Sequence, residues 1–322
     1  MRLVPLIVNL TRFRKAFART GVEFAIRTCH SAIMTIKTKT LLGIIALSLA
    51  GCAPLSPQPA AEQFSPQARY VAMGSSFAAG PGVTTPADTP ANRCARSADN
   101  YAHQLARKLN LQLVDVSCSG AKTENLLGPS GPLPPQMKAL TDDTKLVTVT
   151  IGGNDVGYIG CLIAASTVFV KNADAATAQA WKCPPGVNAS EETWDKLSAA
   201  LRNVSTEIRH RAPHARLVFV DYPVVLPNHG TCAATPLTNE QADVSRATAR
   251  RLAELTAQAA KEANADLLRA SELSQGHDVC SKEPWMTGFS SPGLERTGSS
   301  PYHPNLAGMT AVATALGRLL AR

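Results

Sequence analysis

The chain has 322 residues and 45% hydrophobic content, enough to bury a sizeable core in one large domain or two small ones. Its net charge of +8 is concentrated in residues 1–52, which hold eight Lys and Arg against the single acid Glu23. The remainder has 24 basic and 23 acidic residues, so charge gives no ground for a nucleic-acid partner of the folded part.

In chain order, the first feature is a leader. Lys37 and Lys39 precede the apolar run from Leu41 to Ala50, far shorter than the ~20 residues that span a bilayer. Basic, short-apolar and small-residue segments in that order read as an export signal. It ends Leu49-Ala50-Gly51-Cys52, which resembles the bacterial lipobox and implies lipidation of Cys52 as the mature N-terminus. Met34 opens a conventional leader, so residues 34–51 are expected to be the signal peptide. Residues 1–33 are expected to be a gene-model extension or a long n-region. Ala53, in place of a retention-type Asp, points toward an outer membrane or cell surface if the cell has two membranes. Residues 52–68 are rich in Pro, Ala and Gln, as a tether would be.

From Arg69 strands and helices alternate. Tyr70–Met73 is an apolar strand, followed by a helix capped by Ser97 and running to about Asn110. Strands follow over 113–116 and 145–151, a helix from Thr193 to about Arg211, and a strand over 216–221. A long helix spans 240–264, a short strand 265–269, and an amphipathic helix 305–322 closes the chain. Alternation of this kind predicts an α/β fold: one three-layer domain over 69–322, with a central parallel sheet flanked by helices. Segments 80–97, 124–140, 158–191 and 223–238 are Pro/Gly-rich or hold Cys, and are expected to be insertions around the mouth of a site.

Eight cysteines become six once Cys29 and Cys52 are assigned to the leader. An even count behind an export signal predicts three disulfides, with 15 pairings open. No Cys-x-x-Cys pair or His cluster supports a metal site, and no cofactor is expected. Ser76, Gly120 and Asn154 each follow a predicted strand, and in an open α/β sheet those ends converge on one edge. His303 precedes the last helix. A serine nucleophile needs a base, and a tetrahedral intermediate needs donors aimed at its oxyanion; these four residues supply both. Asp155 reads as structural. His103, His210, His214, His229 and His277 have no partner spacing and read as surface residues. Trp285, Met286 and Phe289 could line an acyl pocket, though apolar residues near a disulfide are more often core.

Four segments carry a resemblance. Tyr70-Val-Ala-Met-Gly-Ser-Ser-Phe-Ala-Ala-Gly-Pro-Gly82, Ser117-Cys-Ser-Gly-Ala-Lys-Thr123, Ile151-Gly-Gly-Asn-Asp-Val156 and Ser300-Pro-Tyr-His-Pro-Asn305 resemble, in order, the four blocks of the SGNH (GDSL) hydrolases. The resemblance implies that family's flavodoxin-like fold and a serine esterase or lipase, a class that includes phospholipases. Ser76 would be the nucleophile and His303 the base, with an oxyanion hole from the Ser76 and Gly120 N–H groups and the Asn154 side chain. The cysteines and Pro284-Trp285 resemble a secreted three-disulfide bacterial branch, implying Cys94–Cys118, Cys161–Cys183 and Cys232–Cys280.

Two positions depart from the family pattern. Ser75 stands where Asp usually precedes the nucleophile, and Ser300 stands where the third triad Asp usually lies. The expectation is a Ser–His dyad oriented by a backbone carbonyl of the Trp285 region; Asp278 or Glu283 is a weaker candidate, and a decisive Ser300→Ala loss would promote Ser300. Two other readings are a carbohydrate O-deacetylase and an inactive, lipid-anchored binding protein on the same fold. The expected partners are an ester substrate and, through Cys52, a membrane, with the protein a monomer.

Overall fold

The computed structural model describes residues 64–171, 189–289 and 300–322. The leader, Cys52, most of the tether and Cys183 therefore lie outside the described residues.

Five strands form one parallel sheet in the order β2-β1-β3-β4-β5. They are β1 (Arg69–Gly74), β2 (Gln112–Asp115), β3 (Thr144–Thr150), β4 (Arg216–Val220) and β5 (Asp266–Leu268). The helices are α1 (Ser76–Ala79), α2 (Tyr101–Leu109), α3 (Thr123–Leu127), α4 (Tyr158–Lys171), α5 (Glu191–Arg211), α6 (Asn239–Glu262), α7 (Ala270–Leu273) and α8 (Leu306–Leu320).

Parallel strands need crossovers, and crossover helices bury both faces of the sheet. The strand residues divide by parity. Val71, Met73, Val147, Val149, Leu217 and Phe219 face a core with Trp194, Leu197 and Leu201 of α5 and Leu252 of α6. Tyr70, Ala72, Leu146, Val218 and Val220 face Tyr101 and Leu105 of α2 and Val312 and Leu316 of α8. This period of two is why the short strands read cleanly from sequence. The product is the expected single three-layer α/β domain.

Two local expectations fail. Ser97 does not cap α2; Asn100 does, accepting the His103 N–H, while the Ser97 hydroxyl accepts from the N–H groups of Thr84 and Asp99. The segment 158–191 begins not as irregular mouth but as the helix α4. Its run from Ile159 to Val168 is almost uniformly apolar or small, so it has no polar face to betray a 3.6-residue period.

Disulfides join Cys94 to Cys118 and Cys232 to Cys280, the sequential pairing. Cys161 is disulfide-bonded as well; Cys183, its expected partner, lies outside the described residues.

Candidate active site

In a sheet of this order the chain winds outward in opposite directions from β1 and β3, leaving a crevice at their carboxyl ends. Ser76 follows β1 and Asn154 follows β3, so both lie at that crevice. The strand ends approach closely: a Cβ on Gly74 would sit 2.3 Å from the Thr150 carbonyl oxygen, and Gly74 holds a φ of +138°. Only glycine fits there. The same carbonyl accepts the Ser75 N–H, which starts the turn into α1. Gln136, buried in a 3-10 turn (Gln136–Ala139), grips the other side of Gly74. Its amide accepts the Gly74 N–H at 2.8 Å and donates to the Gly74 carbonyl at 2.9 Å.

Ser76 Oγ lies 2.7 Å from His303 Nε2. The other ring nitrogen, Nδ1, lies 2.8 Å from the Pro301 carbonyl oxygen. A carbonyl can only accept, so Nδ1 carries the proton and Nε2 presents its lone pair to the Ser76 hydroxyl. Burial pushes the imidazole pKa down to about 4, opposed by the Pro301 hydrogen bond. The ring is thus neutral at ordinary pH, the state a general base requires.

The Trp285 carbonyl is not the acceptor. It takes the Asn305 N–H at 2.9 Å, because residues 284–287 run antiparallel beside 302–305. The Trp285 region therefore braces the histidine turn through the backbone, with its carbonyl given to Asn305. The Asp278 side chain accepts the Cys280 N–H, and among the described residues the hydrogen-bond partners of the His303 ring are Pro301 and Ser76, not Asp278 or Glu283. Ser300 meets His303 only through its backbone carbonyl, 3.3 Å from the His303 N–H.

Tyr302, between Pro301 and His303, is fully buried with a φ of +61°. For a residue with a Cβ this costs about 1–2 kcal/mol, which its packing must offset.

Three donors follow the ends of β1, β2 and β3. Among the described residues, neither the Ser76 nor the Gly120 N–H finds an internal acceptor. Gly120 has a φ of +81° and open space where a Cβ would be, so its peptide is uncovered. Asn154 spends one amide N–H on the Ala121 carbonyl at 2.9 Å and retains a second. Asp155, beside it, accepts from the Thr123 N–H and hydroxyl, tying the Gly120 loop to the Asn154 loop. Burial raises its pKa, opposed by the Thr123 bonds.

Sequence reading missed Gln136, Tyr222 and Phe77. Tyr222 Oη accepts the Gly153 N–H at 2.9 Å and lies 3.2 Å from Ser75 Oγ. Ser75, a residue 1% exposed, thus has its hydroxyl satisfied where the family pattern has a carboxylate. Phe77 packs between Tyr222 and His303, at ring-centroid distances of 4.7 and 5.1 Å. Only proximity in sequence to the nucleophile could have flagged Phe77. Nothing local marks Gln136 or Tyr222, whose partners are 62 and 147 residues away.

Other expectations resolve simply. Met286 is core, with Phe289 packed against that core, and Trp285 stacks on His277 at 3.9 Å. His103 is not a free surface residue: it is half-buried, 3.5 Å from Asp115. Among the described residues, no group of three or more His, Cys, Asp or Glu could hold a metal ion. A cavity of about 310 Å³ behind Tyr222 is lined by neither Ser76 nor His303.

The sequence profile of the GDSL-like Lipase/Acylhydrolase family matches residues 72–311. The chain belongs to this family. As a GDSL-type lipase/esterase it is an ester hydrolase, and its relatives carry matching names. It is 33% identical over 283 residues to "Lipase 2" of Streptomyces coelicolor, covering 86% of this chain and 94% of the relative. It is 28% identical over 242 residues to "Lipase" of Streptomyces rimosus, covering 75% and 82%. Among solved structures, phospholipase A1 from Streptomyces albidoflavus superposes with a TM-score of 0.63 at 25% identity, covering 78% of this chain and 99% of that one. An extracellular lipase from Streptomyces rimosus gives a TM-score of 0.62 at 25% identity, covering 78% and 98%. Blocks and fold thus agree on the same hydrolase family.

Proposed function

We propose that this GDSL hydrolase cleaves acyl esters through a covalent acyl-enzyme at Ser76, with His303 as general base. The observation that carries the reading is the 2.7 Å contact between Ser76 Oγ and an Nε2 whose ring proton is held at Nδ1. His303 takes the hydroxyl proton as Ser76 Oγ attacks the ester carbonyl carbon. The oxyanion is received by the Ser76 and Gly120 N–H groups and the remaining Asn154 N–H. The imidazolium then protonates the leaving alkoxide. Water, deprotonated by the same imidazole, releases the acid and restores Ser76.

The Pro301 carbonyl fills the place of a triad carboxylate. It fixes the tautomer and the ring plane but brings no full charge to the imidazolium. The missing charge comes from the reaction itself, since the tetrahedral oxyanion forms beside the cation in a buried site.

The lipase names of the relatives and the phospholipase A1 neighbour favour acyl esters of lipids or lipid-like alcohols as substrates. Export follows the leader at 34–51, with Cys52 lipidated and residues 52–68 tethering the monomeric domain over 69–322 to the cell envelope.

The test is a panel of soluble esters of graded acyl length, diacyl phospholipid and acetylated sugars. Turnover of acyl esters or phospholipid is expected. Turnover of acetylated sugars alone would replace this reading with an O-deacetylase. Cys52→Ala should move the protein from the membrane fraction to the soluble fraction; unchanged fractionation would remove the anchor.

A further inference from the structure

Ser166 and Tyr302 are both fully buried, and their hydroxyls lie 2.6 Å apart. Ser166 is on α4, the helix that starts four residues after Asn154. Tyr302 lies between the carbonyl that holds His303 Nδ1 and His303 itself. Its φ of +61° is the torsion that relates the Pro301–Tyr302 peptide plane to the histidine. Relaxation of that torsion to ordinary negative values would swing the Pro301 carbonyl away from Nδ1.

The turn's backbone is tied to residues 285–287. Tyr302 N–H donates to the Thr287 carbonyl at 2.7 Å, and Thr287 N–H to the His303 carbonyl at 2.8 Å. The Tyr302 ring packs near Phe289, with centroids 6.1 Å apart, and its hydroxyl ends on Ser166 of α4. A buried hydroxyl without its partner is costly, and so the pair resists separation.

We propose that Ser166 and Tyr302 are positioning residues for His303, holding the left-handed turn that keeps the Pro301 carbonyl on Nδ1 and Nε2 on Ser76. The couple also locks α4, which follows the Asn154 loop, to the turn that carries the base. This inference rests on the reading of His303 as the base.

The experiment uses the exported protein as Tyr302→Phe, Ser166→Ala, the double variant and Ser166→Thr, assayed with a soluble nitrophenyl ester. Each of the first two should lower kcat by about 10- to 100-fold with little change in KM, the signature of a misplaced catalytic group. The double variant should lose no more than the worse single variant, because one contact is removed either way. Ser166→Thr, which keeps a hydroxyl, should retain kcat within about threefold of wild type. The His303 Nδ1 proton resonance should move or broaden in Tyr302→Phe and Ser166→Ala and stay in place in Ser166→Thr. Wild-type kcat in both single variants, or losses that multiply in the double variant and track a fall in melting temperature, would overturn the proposal. So would failure of Tyr302→Phe and Ser166→Ala to disturb the Nδ1 resonance. That resonance is read without turnover. Thus a wild-type protein whose Ser76 takes no active-site label would sink the reading of the base while still reporting on the couple.

Discussion

A buried imidazole serves as a base only above its own pKa, and among the described residues no charged group raises that of His303. Burial holds it at about 4, with only the Pro301 carbonyl opposing. Activity should therefore fall as pH drops through that value, where the ring becomes protonated, and stay level above it. A kcat/KM profile for a soluble ester should show an acid limb with its midpoint near 4; a midpoint near 6.5, the value of a solvated histidine, would mean that the ring is exposed or paired with a carboxylate. Among the donors, Asn154→Ala removes a side chain that also steadies the Ala121 carbonyl. It should cost roughly 10²–10³ in kcat with the fold retained, as checked by steady-state kinetics beside circular dichroism. The Ser76–His303 pair was legible because each is a side-chain type set in a short motif. The acceptor at Nδ1 was not. A main-chain carbonyl has no residue identity to read, and the sequence pointed to Trp285, which lies close but gives its carbonyl to Asn305.

At the scale of elements, the site depends on how closely β1 and β3 end together. Gly74→Ala would press a methyl group against the Thr150 carbonyl and demand an unfavourable φ. It should cost at least about 2 kcal/mol in urea unfolding and lower activity as well; unchanged stability would show that the strand ends can part. The strands were readable because alternate residues feed two separate cores. The helices α5, α6 and α8 were readable from their polar faces and end signals. The helix α4 was not, since its apolar stretch meets the core, the Ser166–Tyr302 contact and a disulfide cysteine within a few turns. Gln136, which clamps Gly74, and Tyr222, which joins Ser75 to Gly153, belong to pairings set by tertiary structure alone.

For the whole molecule, the order of strands places the first and third motifs at one crevice, and the disulfides tie the outlying loops to it. The Cys94–Cys118 link spans 24 residues and anchors the 80–97 loop beside the Gly120 loop. The Cys232–Cys280 link spans 48 residues. By chain entropy the longer closure should contribute about 4 kcal/mol and the shorter about 3.5. Denaturant titration of Cys232→Ser/Cys280→Ser and Cys94→Ser/Cys118→Ser proteins should return losses of that size and order. Cysteine parity pointed to bridges, and the two pairings seen among the described residues, Cys94–Cys118 and Cys232–Cys280, needed either the family resemblance or the fold. The central claim is that His303, oriented without a carboxylate, activates Ser76 to form a covalent adduct. The most direct measurement is peptide-level mass spectrometry after a fluorophosphonate probe at neutral pH. A stoichiometric adduct on Ser76, lost in Ser76→Ala and strongly slowed in His303→Ala, is expected; a folded protein that remains unlabelled, or an adduct on another residue, would contradict the account.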